Sequence, residues 1–165
     1  MWNEEKRIAL LTEPSAALLH DITKIDGDIM VLGAGGKMGV TLSILARKSA
    51  DKAAPEKRII AVSRFSDISA KIQLKNAGVE TISCDLLNPD DLKKLPDIKN
   101  IIFMAGRKFG TSDSEWLTWG HNSVLPALVC ERFKGVNITV FSSGNVYPLT
   151  SADSAGCSET DKAGP

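Results

Sequence analysis

Gly33, Gly36 and Gly39 recur at every third position in the stretch IMVLGAGGKMGVTL, Ile29 to Leu42, with Gly35 as an extra glycine beside them. An apolar run precedes the glycines and helix-forming residues follow. Each glycine of such a pattern has a physical use: a turn too tight for a side chain, close approach of backbone to a pyrophosphate, or close packing of helix on strand. The unpaired N–H groups and the dipole of the helix N-terminus then favour an anion. Strand, turn and helix in this order point to a dinucleotide site, and a turn kept for packing alone is the alternative. No Gly-Lys-Ser/Thr follows, which disfavours a P-loop. The candidate contacts are Gly33, Gly36, Lys37, Met38 and Gly39, with Lys37 either facing phosphate or solvated.

A second set of polar residues stands at the end of the next apolar run, in IIAVSRFSD. In a dinucleotide site an acidic residue there binds the ribose 2′-hydroxyl, and an arginine accommodates a 2′-phosphate. Ser63 and Arg64 come first, and no carboxylate appears until Asp67. A guanidinium bonds a phosphate bidentately where a carboxylate would repel it, so the pattern favours NADP over NAD. An ordinary solvated arginine is the other reading of Arg64.

Such residues need a scaffold, and short apolar runs recur along the chain: Ile29 to Gly33, Arg58 to Ser63, Val79 to Cys84, Asn100 to Ala105 and Ile138 to Ser143. Their continuous apolarity suits strands covered on both faces, as in a parallel sheet, and the intervals leave room for crossover helices. The helices are expected over about 37–49, 67–77 (stopped by Gly78), 90–95 (entered through Pro89) and 113–133. In the last, Trp116, Leu117, Val124, Leu128 and Val129 read as core, and Pro126 predicts a kink or break near Asn122. A further helix over Glu13 to Ile25, with Ser15 near its start, precedes the core. The α/β alternation predicts a Rossmann-like doubly wound parallel sheet of about five strands, order 3-2-1-4-5, with an extra N-terminal helix. Residues 1–27 form the helical extension, 28–150 the NAD(P)-binding domain, and 151–165 a loop-like tail.

With 20 Lys+Arg against 20 Asp+Glu, no global field draws the chain of 165 residues toward nucleic acid or an anionic membrane. Small molecules are the expected partners. The apolar runs are too short for a membrane span and MWNEEKRIALL lacks a secretory signal, so a cytoplasmic address is expected. Cys84, Cys130 and Cys157 are widely spaced and read as reduced thiols. His20 and His121 lack ligand spacing, so no metal site is expected, and both read as surface or packing residues.

Taken together, these residues resemble the NAD(P)-binding half of the extended short-chain dehydrogenase/reductases, the NAD-dependent epimerase/dehydratase family. The resemblance covers about Asp28 to Pro148. By it, Asp85 and Leu86 of CDLL lie beside the adenine, with a helix or turn cap as the alternative role of Asp85. Met104, Ala105 and Gly106 of IIFMAG lie under the cofactor as backbone or packing contacts, and Asn122 matches the family's helix-interrupting asparagine. VFSSGNVYP is similar to the family's Ser-Ser-x-x-Val-Tyr-Gly, with Pro148 in place of the glycine. That match implies Ser142 at the cofactor, Ser143 as the active-site serine and Tyr147 as a substrate-loop residue.

The family's Tyr-x-x-x-Lys pair is missing, since Tyr147 is the single tyrosine and Ser151 stands four residues on. In the family that pair would follow soon after an acidic loop like CSETDKAGP, where this chain ends. The expectation is therefore a fragment of a longer oxidoreductase or epimerase, acting on a hydroxy or keto compound such as a nucleotide sugar and binding cofactor without turnover. A non-catalytic dinucleotide-binding sensor or regulatory module is the alternative. A nucleotide-free or S-adenosylmethionine-binding domain is a third reading, disfavoured by CDLL and SSGNVYP. Family dimers pair through helices that include the fourth, so a homodimer through that helix is a further expectation.

Overall fold

Ile29–Leu32 forms strand β1, and all its side chains are buried. Met30 and Leu32 enter one core while Ile29 and Val31 enter the other. A strand apolar at every position needs cover on both faces, and helices supply it. β2 (Ile59–Ser63) repeats this, with Ile60 and Val62 on one side and Ile59 and Ala61 on the other. β3 (Glu80–Ser83), β4 (Asn100–Phe103) and β5 (Asn137–Val140) complete the sheet. Five strands run in the order β3-β2-β1-β4-β5, every neighbouring pair parallel. This is the Rossmann-like α/β fold, in the strand order expected from the sequence. The computed structural model describes residues 3–107 and 113–164.

Seven α-helices are described: α1 (Glu4–Leu11), α2 (Ala16–Ile22), α3 (Lys37–Ala53), α4 (Ile68–Asn76), α5 (Pro89–Lys93), α6 (Glu115–Trp119) and α7 (Leu125–Arg132). Ile22 of α2, Ile44 and Ala50 of α3, and Ala70 and Leu74 of α4 pack on the Ile29 and Val31 face. Leu92 of α5 and Leu125 and Val129 of α7 cover the opposite face. Side chains close several helix starts, Ser15 being the one marked in the sequence. Ser15 Oγ accepts from Leu18 N–H at 3.2 Å, Asp67 Oδ1 from Ser69 N–H at 2.8 Å, and Asn88 Oδ1 from Asp90 N–H at 2.9 Å.

The helix expected over residues 13–25 is present as the shorter α2, and α1, which was not expected, precedes it. Two helices form, because Asn3 caps α1 by accepting from Lys6 N–H at 2.9 Å, and α2 ends at Ile22. Both helices are fastened to the core. Lys48 Nζ donates to Thr12 Oγ1 at 2.8 Å, and Lys57 Nζ donates to the Ile25 and Gly27 carbonyls at 2.7 and 2.6 Å. Lys57 is buried, so these two bonds satisfy an ammonium group that would otherwise be costly to desolvate.

The fourth helical stretch breaks where Pro126 predicted. Pro126 has no N–H to give the Asn122 carbonyl, and a π turn over Gly120–Val124 separates α6 from α7. The wider turn changes which residues face the sheet. Leu125 and Val129 are buried, whereas Trp116 and Val124, expected in the core, are 71% and 52% exposed. Trp119 is exposed as well.

Candidate functional site

The carboxyl ends of β1, β2, β3 and β4 open into one cleft of about 380 Å³. In an open parallel sheet this edge, where the strand order reverses between β1 and β4, is where ligands bind. Among the expected site residues, Gly33, Gly36, Ser63, Arg64, Asp85, Leu86, Met104, Ala105 and Gly106 line it.

The glycine turn separates three needs that the sequence could only name together. Gly33 has φ +88°, and a Cβ there would stand 2.6 Å from Ala105 N, so both conformation and space exclude a side chain. At Gly39 a Cβ would stand 2.6 Å from the Ala34 carbonyl oxygen, which lets α3 close on its own turn. Gly36 differs. Its φ is −76°, and the one atom near a Cβ would be Gly33 O at 3.5 Å. The protein itself leaves that space open, at the N-cap of a helix of 17 residues whose first N–H groups have no side-chain cap. Such a cradle admits an anionic group close to backbone. Lys37 and Met38 open α3 and are exposed, but line none of the cleft, and Gly39 lies buried behind them.

On the β2 side, Ser63 Oγ would meet a Gly35 Cβ at 2.6 Å and accepts from Phe65 N–H at 3.4 Å. Phe65 is buried with φ +51°, an uncommon conformation for a bulky residue, and its ring lines the cleft wall beneath Lys71. Arg64 between them is exposed. Asp67 also lines the cleft. The Ser69 hydroxyl and N–H hold its carboxyl below the ordinary carboxylate range, so it is charged at neutral pH.

On the β3 side, Asp85 Oδ1 accepts from Leu87 N–H at 3.1 Å. Asp85 thus caps the turn and also lines the cleft. Cys84 beside it is buried, and burial, with the charges of Asp91 and Asp85, pushes its thiol up to about 11. All three cysteines are free.

Asn122 stands apart from the cleft lining. Its side-chain amide is taken by Arg107: Arg107 N–H donates to Asn122 Oδ1 and Asn122 Nδ2 donates to Arg107 O, each at 2.8 Å. It therefore holds the backbone of Arg107, next to Gly106. Ser142, Ser143 and Tyr147 lie beyond β5, outside the cleft lining, with Ser142 and Ser143 exposed. Asp67, Phe65, Leu87, Leu125 and His121 line the cleft without having been expected there. For Phe65 and Asp67 the signal was their place in the same loop as Arg64. His121 had none beyond its position before Asn122. Among the described residues, no group of three or more His, Cys, Asp and Glu is placed to hold a metal, and no helix is long and apolar enough to cross a membrane.

Neither a protein-family model nor a curated protein matches the sequence. Among solved structures, the fold is similar to that of ADP-L-glycero-D-manno-heptose-6-epimerase from Helicobacter pylori. The TM-score is 0.62 at 21% identity, over 79% of this chain and 45% of that one. It is also similar to the Bordetella bronchiseptica enzyme WbmF, solved in complex with NAD+ and UDP, with a TM-score of 0.54 at 16% identity over 78% of this chain and 39% of that one. The likeness is one of fold, and this chain spans less than half the length of either enzyme.

Proposed function

We propose that this chain binds a nicotinamide dinucleotide, NADP in preference to NAD, as the cofactor-binding part of an oxidoreductase of the epimerase, dehydratase or reductase type. Its substrate would be a hydroxy or keto compound such as a nucleotide sugar. The observation that carries this reading is Gly36, where the fold leaves open space for a group that approaches backbone at the start of α3. Neither conformation nor packing demands a glycine there, unlike at Gly33 and Gly39. The likeness in fold to an enzyme solved with NAD+ and UDP is in line with this reading.

The pyrophosphate would rest on Gly36 and the N–H groups of Lys37 and Met38, where the α3 dipole favours negative charge. Exposed Arg64, beside Ser63, would take the 2′-phosphate, and Asp85 and Leu86 would border the adenine. Met104, Ala105 and Gly106 would line the path toward the nicotinamide, whose C4 gives or accepts a hydride when the cofactor is bound. Ser143 would orient the substrate oxygen, with Ser142 on the cofactor side and Tyr147 on the substrate side. Tyr147 is followed four residues on by Ser151, so the chain holds no Tyr-x-x-x-Lys proton donor and binds without turnover. Asn122 would act on the cofactor indirectly, by holding Arg107 beside Gly106.

A fluorescence titration of the chain with NADPH and NADH tests this. NADPH should saturate at lower concentration. Arg64→Ala should weaken NADPH about tenfold with little change for NADH, the scale of one charge-assisted contact. Binding of neither nucleotide would sink the proposal, and equal binding of both would sink the NADP preference.

A further inference from the structure

His121 enters the cleft from the π turn between α6 and α7. Its Nδ1 lies 2.8 Å from the carbonyl oxygen of Leu117. A carbonyl oxygen only accepts, so Nδ1 carries the proton of that bond, and the imidazole tautomer that this bond selects has its lone pair on Nε2. The turn bearing His121 rests on the loop after β3, since a Cβ on Gly120 would stand 3.5 Å from Leu87 Cδ1. Leu87 N–H in turn is held by Asp85 Oδ1 at 3.1 Å. The walls that carry His121 and Asp85 therefore touch, and each brings an acceptor: the Nε2 lone pair and the second carboxylate oxygen. Buried Leu86 and Leu125 line the same cleft and offer apolar surface for a flat ring.

We propose that His121 reads the base of the bound dinucleotide: Nε2 accepts from the exocyclic amino group of a 6-aminopurine. The cleft then selects adenine over hypoxanthine, whose 6-oxo group would set acceptor against acceptor. The inference rests on the dinucleotide reading above and adds to it the residue that decides base identity. Hydrogen-bonding sites discriminate strongly against analogues that leave their polar groups unpaired, which is the effect expected here.

The test is a titration of the full chain with NADPH and with its deamino counterpart, which carries hypoxanthine. The chain should bind NADPH about tenfold more tightly, the equivalent of one hydrogen bond. His121→Leu should bring the two affinities within about twofold, and His121→Gln, whose amide can turn to accept from the 6-amino group or donate to the 6-oxo group, should do the same. Circular dichroism confirms that each variant is folded, and the unsubstituted chain and His121→Gln still decide the matter if His121→Leu is not. Equal affinity of the unsubstituted chain for both dinucleotides, or a folded His121→Leu that keeps the full preference, would overturn the role of His121 alone. Binding of neither dinucleotide would overturn the dinucleotide reading, and this inference with it.

Discussion

Asn122 and Arg107 pair like facing residues of a β-ladder, the Asn122 amide group giving to and taking from the Arg107 backbone at 2.8 Å in each direction. A residue of the helical stretch thereby binds the backbone of the chain leaving β4. The bond sits at the π turn, where the missing N–H of Pro126 frees the helix from regular geometry.

Replacing Asn122 by Ala should lower stability by about 1–2 kcal/mol, the net worth of two partly exposed hydrogen bonds. Asn122→Asp keeps the acceptor and loses the donor, so it should fall between. Urea unfolding of the three chains checks this ranking. An Asn122→Ala chain as stable as the original would show that the pairing contributes nothing.

The glycines of the turn should respond differently to the same substitution. Gly33→Ala combines a positive φ with backbone atoms of Met104 and Ala105 less than 3 Å away, and Gly39→Ala meets the backbone of Ala34. Each should cost about 2–4 kcal/mol, since the obstructing atoms are backbone and cannot move aside cheaply. Gly36→Ala should stay within about 1 kcal/mol of the original, because space and φ both admit a methyl group. The same variant should bind nucleotide at least about tenfold more weakly, because the methyl group fills the cradle. Thermal melts paired with nucleotide titration separate the two effects.

Cys84 adds an alkaline dependence. Burial, with the nearby Asp91 and Asp85 charges, raises its thiol from the ordinary 9.0 to about 11. The unfolded chain releases this proton near pH 9 and the folded chain holds it until about pH 11, so the contribution to stability is complete below pH 9 and is lost as pH rises toward 11. Unfolding midpoints measured from pH 7 to pH 11 should fall in that window and fall less steeply in Cys84→Ala. Alkylation at pH 8 should modify exposed Cys130 in the folded chain and reach buried Cys84 only in denaturant.

The sheet was legible because its signal is local. Continuous apolar runs such as IMVL and IIAV mark strands covered on both faces, and glycine, proline and capping residues mark where helices begin. Pro126 announced a break near Asn122 for the same reason, since a missing N–H acts on its own helix whatever surrounds it, and the π turn is the form that break takes. The N-terminal helices were read less well. α1 has a weak apolar stripe, and its Leu10 and Leu11 are exposed. Trp116 and Val124 were misplaced because helical spacing was carried through a turn that does not keep it.

By itself, then, the sequence determined the α/β alternation and the place of the glycine turn, which follow from periodicity and from backbone chemistry a few residues long, and the strand order followed from the topology that such alternation favours. Only the tertiary structure decided which glycine stands free of the protein, that Asn122 serves Arg107, and that His121 meets the Asp85 wall in one cleft. Those relations join residues far apart in the chain, such as Gly33 with Ala105 and Gly120 with Leu87, and no local pattern records the distance between them until the sheet brings its ends together.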